Sequence, residues 1–256
     1  MKKLYFPALF ILMLCCSSCV DIEERYDFNK DGSCNVVYGV DMSRAVSVLT
    51  NLLSDSVRET PQFSLVKDTT INFYNALPDS IANKMNAEEI KLAQGSDLAV
   101  KMNLKNNVMK VNLTHKASTT AELQYYLQHI SSLPINSPAF TVVNGSSKIN
   151  NALDAGQRFT AGQDYYVYEI SDNKFYRSVD KTKFNLFLKK VGSKLSVAKA
   201  MLIDMPCKVV LRFARPVKKI NNSKAMLSAD RRTVTLVTSM DEVMKNPSLM
   251  NLKIDL

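Results

Sequence analysis

Residues 27 to 34, Asp27-Phe28-Asn29-Lys30-Asp31-Gly32-Ser33-Cys34, place side-chain oxygens at alternate positions. Asp27, Asn29 and Asp31 match positions 1, 3 and 5 of a twelve-residue calcium loop, and Gly32 falls at position 6, where the loop turns sharply. Position 12 is Tyr38. A phenol does not supply the bidentate carboxylate that closes the calcium shell, so the run is expected to be a tight turn. His115 and His129 are the only histidines, with no second histidine four residues away and no paired cysteines, and no metal site is expected from them. The chain has no glycine-rich phosphate loop, no Gly-x-Ser-x-Gly elbow and no recognisable motif that joins a serine or cysteine nucleophile to a histidine. No catalytic residue and no cofactor is assigned. Two carboxylates could hydrolyse a glycoside if folding brought them together, a matter of distance rather than of sequence.

The first nineteen residues carry a different chemistry. Lys2 and Lys3 precede an apolar run of 13 residues, Leu4 to Cys16, followed by Ser17, Ser18 and Cys19. A charged start, an apolar middle and small residues at the cut describe a signal peptide over residues 1–18. Crossing a bilayer takes about 20 apolar residues, so a permanent span is not expected here. The stretch Cys16-Ser17-Ser18-Cys19 resembles a bacterial lipobox, with Cys16 standing where that pattern prefers Leu. The resemblance implies acylation of Cys19 as the mature N-terminus and a lipid anchor in a membrane, the body itself not spanning it. Asp21, Glu23 and Glu24 follow directly. That cluster resembles the export signal of bacteroidete-type surface lipoproteins, and it also suits the solvated start of a strand.

Lys and Arg number 33 against 24 Asp and Glu, and removing residues 1–18 takes away only Lys2 and Lys3, so the excess falls from nine to seven. The basic residues are dispersed, with no run of four, which describes solvated faces and argues against nucleic acid as a partner. Of the cysteines beyond residue 18, Cys34 and Cys207 remain once Cys19 is acylated. In an oxidising compartment they either bridge each other as a disulfide or stay as buried thiols.

The elements follow from periodicity. Ile22, Tyr26 and Phe28 before the first turn, and Cys34, Val36, Tyr38 and Val40 after it, alternate with polar residues. Period two means strands. A three-residue loop at Lys30-Asp31-Gly32, with Gly32 left-handed, pairs Phe28 with Cys34, Tyr26 with Val36 and Ile22 with Val40. A second hairpin is expected around Asn106-Asn107, pairing Leu104 with Met109, Met102 with Val111 and Val100 with Leu113. A third is expected around Ser171-Asp172-Asn173, and a meander over Cys207–Phe213, Ala225–Ser228, Thr233–Thr238 and Leu252–Leu256.

Helical spacing recurs at Ala45, Leu49, Leu52 and Leu53, weakly over Ala76–Ala93, and at Leu123, Tyr126, Leu127 and Ile130 behind a Thr119/Glu122 cap. It recurs again at Phe184, Phe187, Leu188, Val191 and Leu195, a stripe expected to pack against the sheet rather than on a membrane. These elements predict an α+β fold of mostly antiparallel hairpins with helices on one face. The division is a signal peptide at 1–18, an α+β region at 19–133, a connection at 134–163 and a second α+β region at 164–256, which could form one domain with the first.

The start, SCVDIEERYDFNKDGSCNVVYGVDMS, and the finish, MPCKVVLRF with ADRRTVTLVTSMDEV, resemble uncharacterised bacterial lipoproteins, more distantly those of the LppM-like kind. The resemblance implies a strand, turn and strand just after the anchor and brings no catalytic residue. The expected role is a non-catalytic binding or assembly module of the cell envelope, at the outer membrane, taking a protein, glycan or lipid ligand. The alternative is an envelope-polymer hydrolase built on a carboxylate pair.

Overall fold

Alternation of side chains along two strands builds the first hairpin. β1 (Asp21–Phe28) and β2 (Cys34–Asp41) pair Phe28 with Cys34, Tyr26 with Val36 and Ile22 with Val40, the expected register. Gly32 adopts φ +84°, a conformation that side chains disfavour. In this computed structural model the described residues are 20–61, 63–130, 164–189 and 205–256. The signal peptide, Cys19, the connection at 134–163, Val191 and Leu195 therefore lie outside the described residues.

Helix α1 (Ser43–Leu52) and the single turn α2 (Asp55–Arg58) follow β2. Next come β3 (Val66–Asn72), α3 (Asp79–Ala82), α4 (Ala87–Gln94), β4 (Ser96–Asn103) and β5 (Val108–Ala117). The Ala76–Ala93 pattern thus resolves into two short helices, the second opened by an Asn86/Glu89 capping box.

The second hairpin differs from expectation by two residues: Met102 pairs with Met109, Val100 with Val111 and Leu98 with Leu113. Asn103 Oδ1 accepts from Asn106 N at 3.1 Å and draws Leu104 into a 3₁₀ turn, while Asn107 takes φ 54°. A slip of two keeps every apolar side chain on its face, so the hydrophobic pattern tolerates either register and the Asn103 contact chooses.

α5 (Thr120–His129) begins where Thr119 Oγ1 accepts from Glu122 N, but Glu122 Oε2 reaches back to Ser118 N rather than to Thr119. Its stripe of Leu123, Tyr126, Leu127 and Ile130 is fully buried. β6 (Tyr166–Ser171) and β7 (Lys174–Val179) form the third hairpin, and a helix over 181–189, here α6, buries Phe184. The last quarter supplies β8 (Pro206–Arg212), β9 (Lys219–Ile220), β10 (Met226–Leu227), β11 (Thr233–Ser239), α7 (Met240–Lys245) and β12 (Leu252–Asp255).

The fold is α+β and mostly antiparallel, as the periodicity predicts. One sheet has eight strands in the order β10-β11-β8-β1-β2-β5-β4-β3, the other four in the order β6-β7-β12-β9. Among the described residues only the β1/β8 pairing is parallel. The expected terminal meander is divided: β8, β10 and β11 extend the large sheet, while β12 inserts between β7 and β9 in the small one. One hydrophobic cluster draws on both sheets and on both halves of the chain, Tyr26, Val36 and Leu98 meeting Tyr168, Phe175 and Leu252.

Glu24 belongs to that interior. It shares the inward parity of Ile22, Tyr26 and Phe28, and its carboxylate accepts from the Arg177 guanidinium at 2.7 Å and from Tyr26 Oη at 3.2 Å. The acidic cluster after Cys19 is therefore not a uniformly solvated start. Glu23 faces out and meets Lys208 at 3.2 Å, whereas Glu24 is buried.

Cys34 and Cys207 sit at opposite ends of β1, beside Phe28 and Ile22 respectively. Six residues of strand separate those two positions by about 20 Å, beyond any disulfide, and no bridge joins the two sulfurs.

Candidate functional site

The β1/β2 turn does not stand alone. Asn29, Lys30, Asp31 and Gly32 form one wall of an open cleft of about 800 Å³. Thr119 and Thr120 at the start of α5, Ser171 and Asp172 where β6 turns into β7, and Arg215 after β8 complete its rim. With Leu256, five chain segments far apart in sequence thus meet at one end of the two sheets.

Phe28 supplies the floor, stacked on Phe213 at 4.9 Å with the rings 18° apart. The edge of Phe175 meets Phe28 at 6.0 Å, which locks the platform to the inner core. Such a pair combines apolar area with a fixed orientation.

Hydrogen bonds hold the rim. Asp31 Oδ1 accepts from Ser33 N at 3.0 Å and from Ser33 Oγ at 2.7 Å, and Asn29 Nδ2 donates to that same Oγ at 2.9 Å. The Ser33 hydroxyl and amide hold the Asp31 carboxyl below the usual carboxylate range. On the other wall, Arg215 donates to the Asp172 carbonyl and to Asn173 Oδ1. The Leu256 amide donates to the Asn173 carbonyl at 2.8 Å, and Thr120 Oγ1 lies 3.5 Å from Asp172 Oδ1. The rim therefore offers both charges, hydroxyls and amides around an aromatic floor, the pattern of a binding site with few convergent polar groups.

A second constellation is buried. His115, expected just after the second hairpin, lies inside β5, with Nδ1 2.9 Å from Ser96 Oγ and its ring stacked on Tyr126 at 3.7 Å. A serine and a histidine are thus adjacent in space though 19 residues apart in sequence. They do not form a nucleophile and base. Ser96 Oγ donates its one proton to the Leu92 carbonyl at 2.7 Å, so toward His115 it accepts a hydrogen bond from Nδ1–H, and both side chains are buried. Burial pushes the His115 ring down to about 4, and its Nε2 has no hydrogen-bond partner. His129 lies on α5 with Nδ1 2.8 Å from the Tyr125 carbonyl and its ring stacked on Tyr125 at 4.0 Å.

Among the described residues no three His, Cys, Asp or Glu side chains gather around a common metal position. No described helix is long and apolar enough to cross a membrane. Sequence reasoning singled out the β1/β2 turn, the Thr119 cap and the Ser171-Asp172-Asn173 turn as separate features; Phe213 and Arg215 carry no motif, and only the sheet order brings all of them to Phe28. Compared with family models, curated proteins and solved structures, the chain matches none of them.

Proposed function

We propose that the chain is a lipid-anchored protein of the bacterial cell envelope whose folded body binds a glycan in the Phe28 cleft without cleaving it. The observation that carries the reading is the cleft itself, an aromatic platform ringed by Asn29, Lys30, Asp31, Thr120, Asp172 and Arg215. A sugar ring presents an apolar face and a polar circumference, and that combination complements a stacked floor with hydroxyl, amide and charged groups at its edge.

Placement supports the same reading. Cys19 precedes Asp21, the first residue of β1, while the cleft begins at Phe28, its last. At 3.3 Å per residue the strand holds the two roughly 23 Å apart. A body tethered at Cys19 would present the cleft away from the bilayer.

Asp31 and Asp172 share the cleft, which is the observation that favours the hydrolase alternative. A glycosidase pairs an ionised carboxylate, a role Asp31 could fill, with a second carboxyl kept protonated by an enclosed apolar setting, whereas this cleft is open and ringed with polar groups. Binding without turnover is the better account.

Titration of the anchored protein with soluble peptidoglycan fragments in a calorimeter tests this. Binding that weakens about tenfold in Asp172→Ala, the loss of one good polar contact, is the expected result. No heat with any envelope oligosaccharide would overturn the glycan assignment. Release of reducing sugar that disappears in Asp172→Asn would move the assignment to the hydrolase.

A further inference from the structure

At its other end the body carries an apolar surface that the cleft does not use. Asp21, the first residue of β1, pairs with Asp41, and α1 opens two residues later at Ser43. Met42 N donates to the Met109 carbonyl at 2.8 Å and Ser43 Oγ accepts from Met109 N at 3.1 Å, which fixes the helix at the end of the sheet from which residue 20 leaves.

α1 buries only Ala45. Val48 is 50% exposed, Leu49 46% and Leu52 78%, positions that share one side of a helix. Val57 of α2 is 42% exposed. Val66, 63% exposed, starts the edge strand β3 opposite Asn103, beside the 104–106 turn at this same end. α1 contains no acidic residue, and Lys105 stands in the neighbouring turn. Single exposed apolar residues are ordinary, but a concentration of them on one helix and its neighbours marks an interaction surface.

We infer that the uncovered face of α1 lies on the lipid surface beside the Cys19 anchor, giving the body a second membrane contact that fixes its orientation. The inference rests on the anchor proposed above. Cys19 is two residues from Asp21, so acyl chains on it would enter the bilayer within about 7 Å of the strand end that α1 adjoins. A helix with an exposed apolar face and no acidic residue of its own suits the boundary between headgroups and acyl chains, and stable attachment takes more than one weak signal. A lipid surface is therefore the occupant that the position of the tether selects.

The test uses the mature lipidated protein in a Cys207→Ser background, spin-labelled at Leu52→Cys or, as the distal reference, at Lys30→Cys. On adding vesicles of phosphatidylethanolamine and phosphatidylglycerol, collisions of the Leu52 label with an aqueous nickel relaxant should fall about threefold or more, as for a group at the headgroup boundary, while the Lys30 label is unchanged. If the protein floats with the vesicles and the Leu52 label stays as accessible as the Lys30 label, the inference fails and the anchor stands. Shielding of Leu52 before vesicles are added would assign the face to another part of this chain or to a second copy and would also overturn it. A protein that carries no lipid and does not float removes the anchor and this contact together.

Discussion

Arg177 of β7 donates from Nη1 to Glu24 Oε2 of β1 at 2.7 Å, joining the inner faces of the two sheets across 153 residues of sequence. The guanidinium is fully buried, donates from Nε to the Met250 carbonyl at 3.2 Å and lies over the Tyr166 ring at 4.5 Å. Tyr26 Oη reaches both Glu24 and, at 2.9 Å, Tyr38 Oη. Burial raises the Tyr26 and Tyr38 phenols far above their ordinary value, so they stay neutral and leave the charge of the network to one acid and one base.

Removing one partner of that pair leaves a buried charge unmatched. Arg177→Met is expected to lose about 3–5 kcal/mol of stability in urea unfolding. The double variant Glu24→Leu/Arg177→Met should recover most of the loss, because it removes both charges. A double variant no better than the single would show that the pair contributes through shape and hydrogen bonds rather than charge balance.

His115 makes stability depend on acid. Its ring titrates at about 4 when folded against about 6.5 when unfolded, so the unfolded chain binds more protons between those values. The contribution is fully present above pH 6.5 and is lost as pH falls to about 4, a total of about 3 kcal/mol. Nearby Glu122 opposes the shift without reversing it. Chemical unfolding at several pH values should show this slope in the wild type and a flatter one in His115→Gln.

Gly32 tests the turn without crowding. A Cβ at that position meets nothing within 4 Å, so the cost of Gly32→Ala is the left-handed backbone alone, about 1–2 kcal/mol. Gly32→Asn, whose side chain tolerates that region, should cost less. Thermal melts of the two variants should rank in that order, and equal melts would mean that the turn relaxes.

Gly95 makes the opposite case. A Cβ there would lie 3.0 Å from His115 Cε1, against a ring already pressed on Tyr126. Gly95→Ala is expected to shift the His115 stack and lower stability, with a changed His115 proton resonance as the local readout.

Peptide mapping under non-reducing conditions is expected to recover Cys34 and Cys207 on separate peptides, since β1 holds them at its two ends. A Cys34–Cys207 cross-linked peptide would contradict the strand pairing itself.

Much of the local structure was legible because side-chain parity is written residue by residue. The alternation through Ile22, Tyr26 and Phe28 determined the first hairpin, while Glu24, which shares their parity, reads in the sequence only as part of an acidic, solvated start and is buried in the structure. It could not name Arg177, since nothing local distinguishes one strand arginine from another until the sheets are stacked. The Leu123–Ile130 stripe became a buried face as helical spacing predicts, and Phe184 is buried with Phe187 and Leu188 partly covered, whereas the equally periodic Leu49 and Leu52 stayed exposed. Spacing tells which residues share a face and says nothing about whether another element covers it. By itself the sequence determined the turn at Gly32, the strands beside it and an α+β body. The cleft, the Ser96–His115 contact and the uncovered side of α1 were decided by tertiary structure alone, because each depends on strand order, and pairing between distant segments is chosen by the packing of the whole core rather than by any one stretch of chain.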